Sequence, residues 1–271
     1  MSDKTGISWT DATWNPIAGC TIISPGCRKC YAMKMAARLE RMGSPKYTGL
    51  TKSVNGREVW TGEVRTADDK TINWPLKVKR PRRIFTNSMS DLGHEGIPFE
   101  TQMRIIDVMA QANWHTFQVL TKRPLILLSA VQEWLKRQER SQLPDHIWWG
   151  VSAENQQYAD ERIPVLAEFP AKVRFASMEP LLERVNLTNL PALEWYIVGG
   201  ESVERTEPSN AAAEFNPDWA RDILIYAQAH GAHFHLKQLG SNPVGGKSPS
   251  FKGQDMDDFP IDLRVQEWPA H

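Results

Sequence analysis

Short runs of β-branched and aromatic residues recur along this chain, and segments of helical period separate most of them. The runs are RRIFTNS (82–88), HTFQVLT (115–121), HIWWGVS (146–152), KVRFASM (172–178), EWYIVGG (194–200) and AHFHLKQ (232–238). Between them, 98–113 places Met103, Ile106 and Met109 at helical spacing, and 124–140 opens on a proline suited to a first turn. The stretches 155–168 and 216–230 read the same way, with Asn216-Pro217 as an N-cap and first-turn proline. Strand, helix, strand at a spacing of roughly thirty residues is the pattern of parallel βα units. One more strand before Cys20 brings the count to about seven. This predicts an α/β fold: a partial or near-complete parallel (β/α) barrel, TIM-like, of six to seven strands. A doubly wound sheet is the other arrangement open to it. The crossover at 179–193 is too short and irregular for a full helix.

Two segments fall outside the rhythm. Residues 43–80 carry glycines, a Val-Asn-Gly turn signal and few helix-forming runs, and read as an insertion after the first helix. From 241 the chain turns rich in Gly, Pro and Ser, so 1–240 reads as the barrel and 241–271 as a tail packed on it through Phe259, Ile261, Leu263 and Trp268. The 32 basic and 32 acidic residues balance, so no global field favours DNA or a membrane surface. No apolar run reaches the ~18 residues of a membrane span, and the polar N-terminus has no signal core. The 11 tryptophans read as packing, with base-stacking platforms as the alternative.

Polar residues close each apolar run. The second strand ends in Asn87, Ser88 and Asp91, the third in Thr121, Lys122 and Arg123, and the fourth in Ser152, Glu154 and Asn155. The fifth ends in Ser177 and Glu179, the sixth in Gly199, Gly200 and Glu201, and the seventh in Lys237 and Gln238. In a parallel βα fold these ends mark the face that carries chemistry. Lys122, Glu179 and Lys237 are the catalytic candidates, because each terminates a buried run. Residues Lys77, Lys79, Arg80, Arg82 and Arg83 form a basic stretch, to which Lys122, Arg123 and Lys237 add charge at the mouth. That suits an anionic small molecule, a nucleotide-like substrate or a nucleic acid; a solvated basic edge is the bland reading.

The chain's 3 cysteines, Cys20, Cys27 and Cys30, all lie in GCTIISPGCRKCYA. Such a cluster, with no disulfide framework, indicates a reducing cytoplasm and a metal centre. Zinc and an all-protein iron–sulfur cluster each call for a fourth ligand. His233 and His235 share a strand face and read as packing residues. A [4Fe–4S] cluster with one iron left open needs nothing further from the protein. The segment YAMKMAARLERMG reads as a helix ended by Gly43, so Cys27 to Cys30 fall just before a helix N-terminus. A non-radical metal protein binding or acting on nucleic acid, and a redox-sensing thiol cluster, remain alternatives.

WNPIAGC, SPGCRKCYA, RRIFTNSMSDL, HTFQVLTKRP, SMEPLL and IVGGES together resemble the radical S-adenosylmethionine superfamily, through an uncharacterised phage-associated family grouped with it. The resemblance covers about residues 8–240. It implies that Cys20, Cys27 and Cys30 ligate three irons of a [4Fe–4S] cluster and that S-adenosylmethionine chelates the fourth. It implies reductive cleavage of the sulfonium C–S bond, a 5′-deoxyadenosyl radical, hydrogen abstraction from substrate, and an electron donor such as flavodoxin or ferredoxin. The chain departs from the pattern in three ways. Its spacing is C-x6-C-x2-C where C-x3-C-x2-C is usual, and Lys29 stands where an aromatic residue usually precedes the last cysteine. The superfamily's Gly-Gly-Glu, which meets the cofactor's amino group after the second strand, has its counterpart, Gly199-Gly200-Glu201, after the sixth. Ser88 and Asp91 are the replacements near the second strand, and Ser152 and Glu154 suit ribose hydroxyls by position.

Overall fold

The computed structural model describes residues 5–246 and 250–270. The chain divides into two compact units, Met1–Trp149 with Phe169–Lys172, and Gly150–Glu168 with Val173–His271.

The first unit opens with β1 (Ala12–Trp14), β2 (Ile17–Ala18) and α1 (Tyr31–Arg41). The insertion follows: β3 (Thr51–Val54), β4 (Arg57–Trp60), β5 (Arg65–Thr66), α2 (Asp69–Ile72) and α3 (Trp74–Lys77). Then come β6 (Arg83–Thr86), α4 (Phe99–Gln111), β7 (Thr116–Thr121), α5 (Pro124–Arg137) and the start of β8 (Ile147–Ser152). The second unit takes the last three residues of β8, then α6 (Gln156–Ala167), β9 (Arg174–Met178), β10 (Trp195–Gly199), α7 (Pro217–Ala229) and β11 (His233–Gln238).

Strand order is β1-β6-β7-β8-β9-β10-β11, and β1–β6, β6–β7, β9–β10 and β10–β11 pair in parallel. Sequential order is the connectivity of a partial βα barrel; a doubly wound sheet would reverse direction part-way. The strands read as apolar runs because both their faces are covered. Trp14, Phe117, Trp148, Trp149, Phe175, Trp195 and Phe234 are all fully buried. Three helices begin as the sequence reading expects. Pro124 and Pro217 occupy first turns, and Asn155 and Asn216 cap α6 and α7 by accepting from Tyr158 N–H at 3.1 Å and Asp218 N–H at 2.9 Å. Gly43, past the end of α1, takes φ +82°. Among the described residues no helix joins β9 to β10.

The Val-Asn-Gly signal is the turn of the β3–β4 hairpin, with Asn55 and Gly56 at φ 50° and 73°. Trp60, at the end of that hairpin, packs with Ala32, Met33, Ala36 and Leu50 beneath α1. β5 pairs antiparallel with β2, which fixes the insertion beside the cysteine loop. In the tail, Phe259 and Leu263 are buried, and Trp268 stacks edge-on against His235 at 4.9 Å. Ile261 is 86% exposed and anchors nothing: the short turn Ile261–Leu263 aims it outward while Asp262 pairs with Arg221 at 2.5 Å. His235 is fully buried between Trp195 and Trp268, while His233 stays half-buried. No helix among the described residues is long and apolar enough to cross a membrane.

Candidate metal centre and strand-end residues

The cysteine loop begins at Gly19, which bridges to Ser90 just beyond β6. Gly19 has φ +92°, and a Cβ there would lie 2.1 Å from the Glu63 carbonyl oxygen. Only glycine permits both the left-handed backbone and this close approach of the insertion. The extra residues between Cys20 and Cys27 are taken up in a 3-10 turn, Pro25–Cys27, with Cys27 N–H donating to Ser24 O at 3.0 Å. Cys30 is the N-cap residue of α1, and its carbonyl accepts from Met33 N–H at 3.2 Å.

The three thiols have different surroundings. Cys20 packs on the apolar cluster under α1, and its thiol points to Thr21 O at 3.6 Å. Desolvation, reinforced by Asp91, pushes its pKa up to about 12, while Arg123 pulls the other way. Burial also raises Cys30, with Lys122 opposing. Cys27 Sγ lies 3.5 Å from Ser24 Oγ. Cys20 and Cys30 lie within electrostatic reach of each other, as do Cys27 and Cys30. Burial that raises the pKa of Cys20 and Cys30 makes these two thiols poor nucleophiles, unlike the low-pKa exposed cysteines of redox sensors. As metal ligands they suit a cluster, whose cationic irons reverse the pKa logic of buried sulfur. Among the described residues no three His, Cys, Asp or Glu side chains converge as the ligand set of a single metal ion.

Asp91 organises the wall beside Cys20. Oδ1 accepts from Gly93 N–H at 2.9 Å and Thr121 Oγ1 at 2.5 Å; Oδ2 accepts from Lys122 N–H at 3.0 Å and Arg123 Nη1 at 3.1 Å. Those bonds fill a carboxylate's four acceptor positions, so Asp91 is a brace and not the cofactor contact expected of it. His94 accepts from Gly96 N–H through Nδ1 at 3.0 Å, so Nε2–H donates to Thr21 Oγ1 at 2.7 Å. Desolvation lowers its pKa and keeps the ring neutral. Ser88, half-buried, donates to Asn15 Oδ1 at 3.2 Å, and Tyr31 O–H donates to its carbonyl at 2.9 Å. Lys122 follows β7 within electrostatic reach of Cys30. Asp91, Lys122, Arg123 and Ser88 thus all belong to the surroundings of the cysteine loop.

The basic stretch at 77–83 does not. It precedes β6 and so lies at the opposite end of that strand from Ser88 and Asp91. Arg83 pairs with Asp11 at 3.0 Å, and Lys79 sits 5.6 Å from the Trp114 ring. It is the solvated edge of the bland reading, and the mouth charge expected from it is absent. Arg123 adds no free charge either: its Nε pairs with Glu95 Oε2 at 2.6 Å in addition to the Asp91 contact.

In the second unit the strand-end residues form two groups. Ser152 ends β8 and Glu154 follows it. Glu154 is fully buried against Arg162, 3.1 Å away, and Ser152 O accepts from the same guanidinium at 2.8 Å. Such enclosure leaves Glu154 unsuited to a ribose contact. Glu179, Gly199, Gly200 and Lys237 make the other group, at the ends of β9, β10 and β11. Lys237 Nζ donates to Glu179 Oε2, and Glu179 Oε1 is buried with no hydrogen-bond partner among the described residues. A Cβ on Gly200 would lie 2.2 Å from Leu239 O, so that glycine is required by packing. Gly199 O accepts from Leu181 N–H at 2.9 Å, and Glu201 Oε2 accepts from Ala213 N–H at 2.7 Å. Nothing in the sequence marks Glu95 and His94 as part of the surroundings of Cys20. The Gly-His-Glu-Gly context suggests only a turn; nothing marks it as a partner of a residue about thirty positions away.

Comparison with curated proteins gave no match, and comparison with solved structures gave none. A family model matches residues 4–262, nearly the whole chain. The chain therefore belongs to the family described as Protein of unknown function (DUF5131).

Proposed function

We propose that this chain is an iron–sulfur enzyme that holds a [4Fe–4S] cluster through Cys20, Cys27 and Cys30 and uses S-adenosylmethionine. The observation that carries the reading is the thiol triplet itself: three desolvated or partly buried sulfurs on one short loop, within electrostatic reach and without disulfide partners. When bound, the cluster and S-adenosylmethionine supply one-electron cleavage of a sulfonium C–S bond, releasing methionine and a 5′-deoxyadenosyl radical that takes hydrogen from substrate. The chain's own residues hold and shield. Gly19 and the 3-10 turn fix the loop, Asp91 ties the segment after β6 to the end of β7 beside Cys20, and the cluster of Ala32, Met33, Ala36 and Trp60 keeps water from the loop's inner side. Lys122 supplies positive charge beside Cys30. Within the second unit, Glu179 and Lys237 pair with each other and leave a buried carboxylate oxygen unpartnered among the described residues, a polar pair suited to a nucleotide-like ligand. A one-electron donor of the flavodoxin or ferredoxin kind completes the reaction.

The test is anaerobic reconstitution followed by turnover with dithionite and S-adenosylmethionine. The expected result is a brown protein with about four irons per chain and broad absorption near ~400 nm. It forms 5′-deoxyadenosine, and Cys27→Ala does not. A colourless protein with stoichiometric zinc would favour a non-radical metal protein acting on nucleic acid. An intact cluster that yields no 5′-deoxyadenosine overturns the radical chemistry and leaves the iron.

A further inference from the structure

Arg123 ends the β7 turn and is buried, with 7% of its side chain exposed. Two carboxylates hold its guanidinium, Asp91 Oδ2 at 3.1 Å from Nη1 and Glu95 Oε2 at 2.6 Å from Nε. Two carboxylates more than neutralise one guanidinium, so this group is no clamp for an anionic ligand. Its Nη1 nevertheless lies 4.0 Å from Cys20 Sγ, and Nη2 is buried without a hydrogen-bond partner among the described residues. A buried guanidinium N–H is seldom left unpaired without a reason.

We propose that Arg123 is a positioning residue for the sulfur of Cys20, which it orients and polarises by N–H···S hydrogen bonding, with Asp91 and Glu95 setting the angle of the guanidinium. The inference rests on the cluster reading above. In the free thiol, Cys20 points its proton at Thr21 O, 3.6 Å away. When iron replaces that proton the sulfur becomes purely an acceptor, and the nearby guanidinium edge is the donor that matches it. Drawing charge from a cluster sulfur stabilises the more electron-rich reduced state, so Arg123 raises the reduction potential. Glu95, 57% exposed, opposes it with a negative charge.

The experiment reconstitutes the full chain as wild type, Arg123→Gln, Arg123→Lys and Glu95→Gln, with iron measured in each. It reads the midpoint potential by spectroelectrochemistry and the deuterium shift of the Fe–S(Cys) Raman bands. Arg123→Gln is expected to lower the potential and lose the deuterium shift of one band. Arg123→Lys is expected to restore part of both, and Glu95→Gln to move the potential upward. Equal iron with an unchanged potential and an unchanged deuterium shift in Arg123→Gln overturns the proposal. If Arg123→Gln fails to fold, an unchanged or lowered potential in Glu95→Gln overturns it instead. An iron-free wild type defeats the cluster reading itself, whereas an iron-loaded wild type indifferent to Arg123 defeats this inference alone.

Discussion

Arg162 and Glu154 form an ion pair closed off from solvent, 1% and 0% exposed, with Nη1 3.1 Å from Oε2. The same nitrogen donates to Ser152 O at 2.8 Å, and the guanidinium lies 4.0 Å from the Tyr158 ring. Removing one partner strands the other charge in a medium that cannot solvate it. Arg162→Ala or Glu154→Ala is therefore expected to cost about 3–5 kcal/mol in urea unfolding. The double replacement Glu154→Leu with Arg162→Met is expected to recover most of that. Single variants costing under ~1 kcal/mol would mean the pair is solvated in solution.

Gly19 fixes the direction in which Cys20 leaves the sheet. Alanine there must adopt φ +92° and force its Cβ toward a carbonyl oxygen 2.1 Å away. Gly19→Ala is expected to cost about 3 kcal/mol and to lower iron uptake. Gly231→Ala, at φ +66° but with open space around the new Cβ, is expected to cost only about 1 kcal/mol. Equal thermal shifts for the two variants would show that the approach of Glu63 does not constrain the loop.

His115 and His146 are expected to make the fold sensitive to mild acid. His115 Nε2–H is shared between Pro75 O at 3.1 Å and Val78 O at 3.0 Å, and its Nδ1 accepts from Arg82 N–H at 3.2 Å. His146 Nε2 donates to Met109 O at 2.9 Å. Burial lowers both pKa values from the usual 6.5. Below that pH the unfolded chain takes up protons that the native state refuses, so stability falls as pH falls. Above it this contribution is fully present. Urea midpoints between about pH 8 and pH 5 are expected to be flat at first and then to drop, with a shallower drop in His115→Gln. A midpoint that rises on acidification would contradict the burial of these rings.

The strands were legible because buried parallel strands are written as unbroken apolar runs: HIWWGVS and EWYIVGG admit little else. Helix starts were legible because Asn155, Asn216, Pro124 and Pro217 do local work. What sequence spacing hides is which polar residues meet. Asp91 reads as a free strand-end carboxylate, yet Thr121, Lys122 and Arg123 from about thirty residues away, with Gly93 close by, saturate it. Glu154 reads as a ligand contact until Arg162, two turns into the next helix, is found facing it. The basic stretch at 77–83 has the right charge but the wrong position, since polarity along a parallel strand decides which end a flanking segment occupies. Gly199-Gly200-Glu201 resembles a cofactor motif, but the closeness of Leu239 O to Gly200 already requires that glycine.

On the proposed function, three thiols leave one iron of a cubane open to an exchangeable small molecule. Mössbauer spectroscopy of the full chain reconstituted with iron-57, recorded with and without S-adenosylmethionine, tests it most directly. One of about four irons is expected to change its isomer shift when S-adenosylmethionine is added while the others stay as they were. A cubane whose irons are all indifferent to S-adenosylmethionine, or iron that binds equally well to the Cys20→Ala, Cys27→Ala and Cys30→Ala variants, would contradict it.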